Sequence, residues 1–437
     1  MSTSFKTRRA NCQNVDSDLS EEPLEIPCYT RVRNPFIPKE MKYLVVIVAG
    51  LTDRPFAEKD NKTPLQLADT PNLDALTQNA TCGPVQTIPD DLHPGNEVSC
   101  LGLLGLDPQK YASGHAQLSA MGLGVKPAPD EVALCCDLVT LQPTHDDMVM
   151  KDYTGEHLSH DDSGLLMDAL KEQVVEAPVT FHHGGGYHNL MFIKIPPISE
   201  RLSPPNELIG EGIRQFMPEG NATRELVFVM NQAQIILHNH AYNKKRVAEQ
   251  KDPVNSIWFW GNGELANLPS FRERYDKSAS LISASLMVKG IGKLTGMDVV
   301  EVEGATGFCN TNYFAKVSAV LKELENKDVV FLHISAGEEV SLKGDVDDKV
   351  LMIEDFDAQV IGPLAQALET RENIKMMVVV NHVSSAQSMK YERSVVPYLV
   401  YPAASGSTNT YDEQLLETGK RFDNAPDLLT AFLTDQL

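Results

Sequence analysis

Long apolar runs, a surplus of positive charge and paired-cysteine motifs are all missing from this 437-residue chain. No uninterrupted apolar stretch approaches the ~20 residues a helix needs to cross a bilayer, so a soluble protein without a membrane partner is expected. Lys and Arg number 38 against 60 Asp and Glu, for a formal charge of -22. With a pI near 4.9, such a surface repels phosphate-rich polymers, which argues against nucleic acids and anionic membranes as partners. The CxxC spacing does not occur. The seven cysteines (Cys12, Cys28, Cys82, Cys100, Cys135, Cys136 and Cys309) form no disulfide framework. In a chain large enough to build its own core they read as reduced thiols, hence a cytoplasmic location. Gly184-Gly-Gly186 lacks the lysine and hydroxyl of a phosphate loop. The nearby His182, His183 and His188, with His238 and His240, lack the cysteine spacing of a zinc site and read as a surface hairpin and its surroundings.

Hydrophobic residues make up 42% of the chain, enough for large cores and a split into two domains. Residues 1–40 carry Lys6, Arg8 and Arg9, then Asp16, Asp18, Glu21 and Glu22, and read as a flexible N-terminal extension. An organellar transit peptide is the minor alternative for that segment. Residues 42–50, 328–334 and 375–381 are short apolar strands, and 314–325 and 353–368 have helical periodicity. Thr70-Pro71 opens another helix with threonine as its expected cap. This alternation implies an α/β core of 41–114 and 281–437, a parallel sheet flanked by helices. An inserted smaller α+β domain is expected over 115–280. It holds β-rich pieces at Val132 to Leu141, Leu190 to Ile195 and Leu226 to Met230. Asn243-Lys-Lys-Arg246 reads as a solvated helix end, and Cys135-Cys136 as core.

The strand Tyr43-Leu-Val-Val-Ile-Val-Ala49-Gly50 is continuous and apolar, the pattern of a buried parallel strand that delivers its last residue to a site. Metal-dependent phosphate chemistry would place a carboxylate there, and this chain has Ala49.

Five further segments occur in an ordered series. They are Lys62-Thr-Pro-Leu-Gln-Leu-Ala-Asp-Thr-Pro-Asn-Leu-Asp-Ala-Leu76, His93-Pro-Gly-Asn-Glu-Val-Ser-Cys-Leu-Gly-Leu-Leu-Gly-Leu-Asp-Pro108, Val288-Lys-Gly290, Glu303-Gly-Ala-Thr-Gly-Phe-Cys-Asn-Thr-Asn312 and Val380-Asn-His382. As a set they resemble the archaeal-type, cofactor-independent (2,3-bisphosphoglycerate-independent) phosphoglycerate mutases of the alkaline phosphatase superfamily, from about Lys42 to the C-terminus. The resemblance implies an alkaline-phosphatase-like core and a reaction that interconverts 2- and 3-phosphoglycerate in glycolysis. It also implies two divalent ions, Mn or Mg, held by aspartates and histidines, and a serine that carries the phosphoryl group.

Position by position, those groups are largely absent here. The strand-end aspartate is Ala49, and the nucleophilic serine after Pro94-Gly95 is Asn96. An amide is not among the side chains that form covalent intermediates. The next aspartate is Glu338, a conservative change, but the histidine four residues on is Leu342. The later Asp-His pair is Asn381-His382, and the last histidine falls at Tyr391 or Glu392. The substrate arginines correspond to Tyr111-Ala-Ser-Gly-His-Ala116, Lys151 to Glu156 and Gly186-Tyr-His188, none of which contains arginine. Ser99 and Cys100 read as helix packing, and Glu97 as a solvated or capping carboxylate. The expectation is therefore a degenerate member with no cofactor, retained to bind a protein partner or as an assembly subunit. One alternative is residual turnover, with metal on Glu338, His382, Asn381 and Glu392 and water as nucleophile. Another is a sensor that binds a phosphorylated small molecule without turnover.

Overall fold

Leu44 to Val48 have no exposed surface, so this run needs strands on both edges and cover on both faces. The computed structural model describes residues 40–437 except 113, 176, 221, 222 and 404–409. The N-terminal extension expected over 1–40 therefore lies, but for its last residue, outside the described residues. β1 (Lys42–Val48) occupies the centre of a seven-stranded sheet. Its other members are β2 (Thr81–Gln86), β8 (Ala279–Ile282), β9 (Asp298–Val300), β10 (Val329–Ile334), β11 (Ile374–Val380) and β14 (Val395–Tyr401), in the order β2-β14-β11-β1-β10-β8-β9. Pairing is parallel from β11 to β9, and β14 runs antiparallel to both of its neighbours. The α/β class and the mostly parallel sheet are as expected.

A second, antiparallel sheet is built from β3 (Val132–Pro143), β4 (Met148–Asp152), β5 (Val179–His182), β6 (Leu190–Ile193) and β7 (Ser256–Trp260). Cys135 and Cys136 are buried in β3. A short hairpin of β12 (Val383–Ser385) and β13 (Lys390–Glu392) follows β11. Among the described residues, no helix is long and apolar enough to cross a membrane.

Three local expectations fail for identifiable reasons. Leu226 to Met230 is no strand but part of the helix Thr223–Asn239. Buried Leu226, Val229, Met230, Ala233 and Leu237 recur at spacings of three and four, and that longer period prevails over the short apolar run. Thr70 makes no capping bond to the helix Pro71–Thr77. Asp357 caps it from a distance, accepting from Leu73 N at 2.7 Å and Asn72 N at 3.1 Å. Asn243 and Arg246 are buried rather than solvated. Asn243 bonds the Leu237 and Val254 carbonyls, and Arg246 bonds the Asp252 carbonyl and Glu156.

Register positions the site. Val48 pairs with both Ile334 and Val380, so residues 49, 335 and 381 leave the sheet side by side. Gly50 (φ 78°) then passes so close to the helix Ala336–Leu342 that an added Cβ would lie 2.0 Å from the Gly337 carbonyl carbon. Only glycine permits that approach.

Candidate active site

The ends of β1, β10 and β11 bring Ala49, Glu338, Asn381 and His382 to the start of the helix Asn96–Leu103. Asn96 is the hub. Its Nδ2 donates to Glu338 Oε2 at 2.5 Å, while its Oδ1 accepts from Asn381 Nδ2 at 2.5 Å and from His382 Nε2 at 3.0 Å. The Tyr391 hydroxyl donates to the other Glu338 oxygen, and its ring lies against His382. Burial pushes the His382 imidazolium down to about 4, so the ring is neutral at pH 7. The proton then belongs on Nε2, which leaves Nδ1 to accept from Ser384 Oγ at 3.2 Å. Burial pushes the Glu338 acid up, against the two donors from Tyr391 and Asn96 that favour its ionised form. Both ends of the Asn96 amide are thus engaged, by groups that it matches in donor and acceptor sense.

The remaining expected positions divide between this network and its surroundings. Ala49 is fully buried and contributes only a methyl group. Leu342 packs with Tyr153 and Tyr187. Of the two residues at the last histidine position, Tyr391 enters the network. Glu392 turns to Arg54 Nε at 2.8 Å and Ser388 Oγ at 3.3 Å, so the alternative ligand set that included it is not assembled. Ser99 Oγ bonds the Gly95 and Asn96 carbonyls, as a packing residue would. Glu97 is half-buried, 3.8 Å from His115, rather than solvated. His188, where the resemblance leads one to expect a substrate arginine, stands 3.1 Å from the buried Asp137 carboxylate.

Several participants are not evident from the motifs. Cys100 Sγ lies 3.9 Å from both His333 Nε2 and Asn381 Oδ1, with burial pushing its thiol up. His333 bonds Ser283 Oγ at 3.1 Å. Lys349 is wholly buried, its ammonium on Asp53 Oδ2 at 2.8 Å. A signal for it existed: Lys349 stands three, four and seven residues before Met352, Ile353 and Phe356, on the apolar face of the helix Val346–Phe356.

His333 gives a test of this burial. Desolvation, with Lys316 and His382 adding to it, pushes its imidazolium down to about 3. The neutral ring's contribution to stability is complete above the unfolded value near 6.5 and is lost as pH falls towards 3, at about 1.4 kcal/mol per unit. His333→Leu is expected to be the less stable protein at pH 7.5, with the gap narrowing by about 2 kcal/mol between pH 6.5 and 5. Urea unfolding at the two pH values measures it, and a gap independent of pH contradicts the assignment.

Two divalent ions carry four positive charges and require anionic ligands to balance them. The network offers one carboxylate, whose oxygens already hold Tyr391 and Asn96, with two amides and neutral imidazoles. Among the described residues, no group of three or more His, Cys, Asp or Glu is placed to hold a metal ion. This donor set does not fit a two-ion centre.

Comparison with known proteins agrees with the sheet and the ordered motifs. The sequence model of a family described as 2,3-bisphosphoglycerate-independent phosphoglycerate mutase matches residues 77–243. A probable mutase of that name from Geobacter sulfurreducens is 35% identical over 380 residues, 86% of this chain and 94% of the relative. One from Methanosarcina barkeri is 35% identical over 384 residues, 87% and 96% of the two chains. Among solved structures, a Pyrococcus horikoshii protein aligns with a TM-score of 0.69 at 23% identity, covering 91% of this chain and 98% of its own. The cofactor-independent phosphoglycerate mutase of Thermoplasma acidophilum aligns at 0.50, also at 23% identity, covering 90% and 99%. The structural matches bear on the fold alone, whereas the sequence matches reach the family: this chain belongs to the 2,3-bisphosphoglycerate-independent phosphoglycerate mutases.

Proposed function

We propose that this family member no longer transfers phosphoryl groups and is retained as a protein-binding or assembly subunit. The observation that carries the reading is Asn96, an amide at the nucleophile position with its donor and its acceptor both committed. Phosphoryl transfer needs an oxygen that can attack and be regenerated, and a carboxamide supplies neither. Losing a single supporting partner of a metal ligand commonly costs ~10–100-fold in affinity, and here primary ligands are replaced outright.

A second reading, residual interconversion of 2- and 3-phosphoglycerate with Mn or Mg, is favoured by the activity for which the relatives are named. It would have to use Glu338 and His382 as ligands, with a water as nucleophile. Elemental analysis after dialysis against manganese, run beside a coupled phosphoglycerate assay, separates the two. The first reading expects well below one ion per chain and no conversion above the protein-free rate. Two ions per chain with measurable conversion would establish the second.

A further inference from the structure

Gly155, Glu156 and His157 lie consecutively in the left-handed region, at φ 61°, 55° and 59°. Two side-chain-bearing residues in that conformation are strained and persist only where the surroundings hold them. Here Asp152 holds the turn, its carboxylate accepting from Thr154 N and Thr154 Oγ1 at 2.8 Å and from Glu156 N at 2.5 Å. Arg246 ties Glu156 from outside at 2.8 Å.

The turn delivers His157 to Glu339, with Nδ1 3.1 Å from Oε1, yet out of line for a hydrogen bond. Among the described residues, neither His157 nitrogen, nor Glu339 Oε1, nor the Tyr153 hydroxyl has a hydrogen-bond partner. Tyr153 and Glu339 are only 6% and 7% exposed. Unsatisfied polar groups gathered in one buried place call for a ligand. A cavity of about 400 Å³ opens there, lined by Tyr153, His157, Ile209, Leu342, Lys343 and Met389. Another lysine of its wall, Lys151, is paired with Asp252 at 2.6 Å, whereas Lys343 makes no ion pair among the described residues.

These unmet groups define a complement. An imidazole nitrogen and a phenol oxygen of the wall can each accept a hydrogen bond, and one ammonium supplies three donors. Lys343 calls for a carboxylate, and Ile209, Leu342 and Met389 for an apolar body. A phosphate dianion would meet a single unpaired ammonium with Asp152, Asp252 and Glu339 close by, a poor match. We propose that this cavity binds a free α-amino acid with an apolar side chain, its ammonium on Tyr153 and His157 and its carboxylate on Lys343. The site stands whether or not the neighbouring network retains any turnover.

The test is calorimetric titration and thermal unfolding of the full chain with L-leucine, L-methionine and L-phenylalanine, beside N-acetyl-L-leucine and 3-phosphoglycerate. At least one free amino acid at about 10 mM is expected to raise the unfolding temperature by about 2 °C. The acetylated compound, which has no ammonium, is expected to have no effect. Lys343→Ala, at an exposed position, should unfold at the parent temperature yet bind on the order of tenfold more weakly. Tyr153→Phe keeps the packing and should weaken binding as well. Absence of binding by all three amino acids, equal binding of the acetylated compound, or binding of 3-phosphoglycerate that depends on Lys343 would each overturn the assignment.

Discussion

Lys349→Met is expected to cost this protein about 3–5 kcal/mol, because it strands a buried carboxylate. The lysine and aspartate side chains have no exposed surface. The three ammonium hydrogens have three acceptors: Asp53 Oδ2 at 2.8 Å, the Ser384 carbonyl at 2.7 Å and the Thr52 carbonyl at 3.2 Å. These acceptors belong to the segment after β1 and to β12, so one cation joins the segments on either side of the candidate site. Methionine fills most of the volume but offers no donor, and Asp53 would keep only its bonds from the backbone of Arg54 and Ala386. Adding Asp53→Asn removes the stranded charge but keeps an oxygen for only one of those two bonds, since Arg54 N and Ala386 N donate to different oxygens. The double variant should therefore recover on the order of half the loss. Urea unfolding of the two single variants and the double closes the cycle. A Lys349→Met protein within about 1 kcal/mol of the parent would show that the buried pair contributes little.

Asn96→Asp is the second large effect, and its signature is a pH dependence. The substitution replaces the Nδ2 that faces Glu338 Oε2 at 2.5 Å by an oxygen, so two carboxylates meet where one amide served one carboxylate. They cannot both ionise at that distance. The folded variant must hold an extra proton, either between the carboxyl groups or on His382, which lies 3.0 Å from the other Asn96 oxygen. The proton count is the same in both cases. The added carboxyl group releases its proton near pH 4 in the unfolded chain, and His382 titrates alike in both unfolded chains. Above that pH the folded variant holds one proton more than the folded parent. Relative to the parent, stability therefore falls as pH rises, by up to about 1.4 kcal/mol per unit until the raised folded value is passed. The variant is expected to approach the parent at pH 5 and to lie about 3 kcal/mol below it at pH 8. Parallel stability curves over that range would mean that Asn96 and Glu338 do not touch. The same comparison bears on function, since the amide would then be dispensable to the network that now fills the site.

The residues at the candidate-site positions were legible in the chain because each is a single position inside an ordered motif. Ala49 ends an apolar strand, Asn96 follows Pro94-Gly95, and Leu342 stands four residues after Glu338. Such positions are read one at a time and need no knowledge of neighbours. The apolar strand that became β1 was equally plain, since six consecutive residues buried on both faces leave no alternation to misread. Leu226 to Met230 was misread because five apolar-rich residues fit either period, and only the full 17-residue helix decides between them.

The contacts that these side chains make were decided by tertiary structure. Asn96 and Glu338 are 242 positions apart, Asp53 and Lys349 are 296, and Tyr391 and Glu338 are 53. Composition and periodicity carry no term for such pairs. They form because parallel strands deliver residues from distant parts of the chain to one edge of the sheet, where burial obliges each polar group to find a partner. The sequence by itself determined which residues stand at the motif positions, Ala49, Asn96 and Leu342 among them, because identity at a position is a local property. Only the folded chain decided which partners the Asn96 amide, the Tyr391 hydroxyl and the buried Lys349 would find, because desolvation acts on groups that the fold has already brought together.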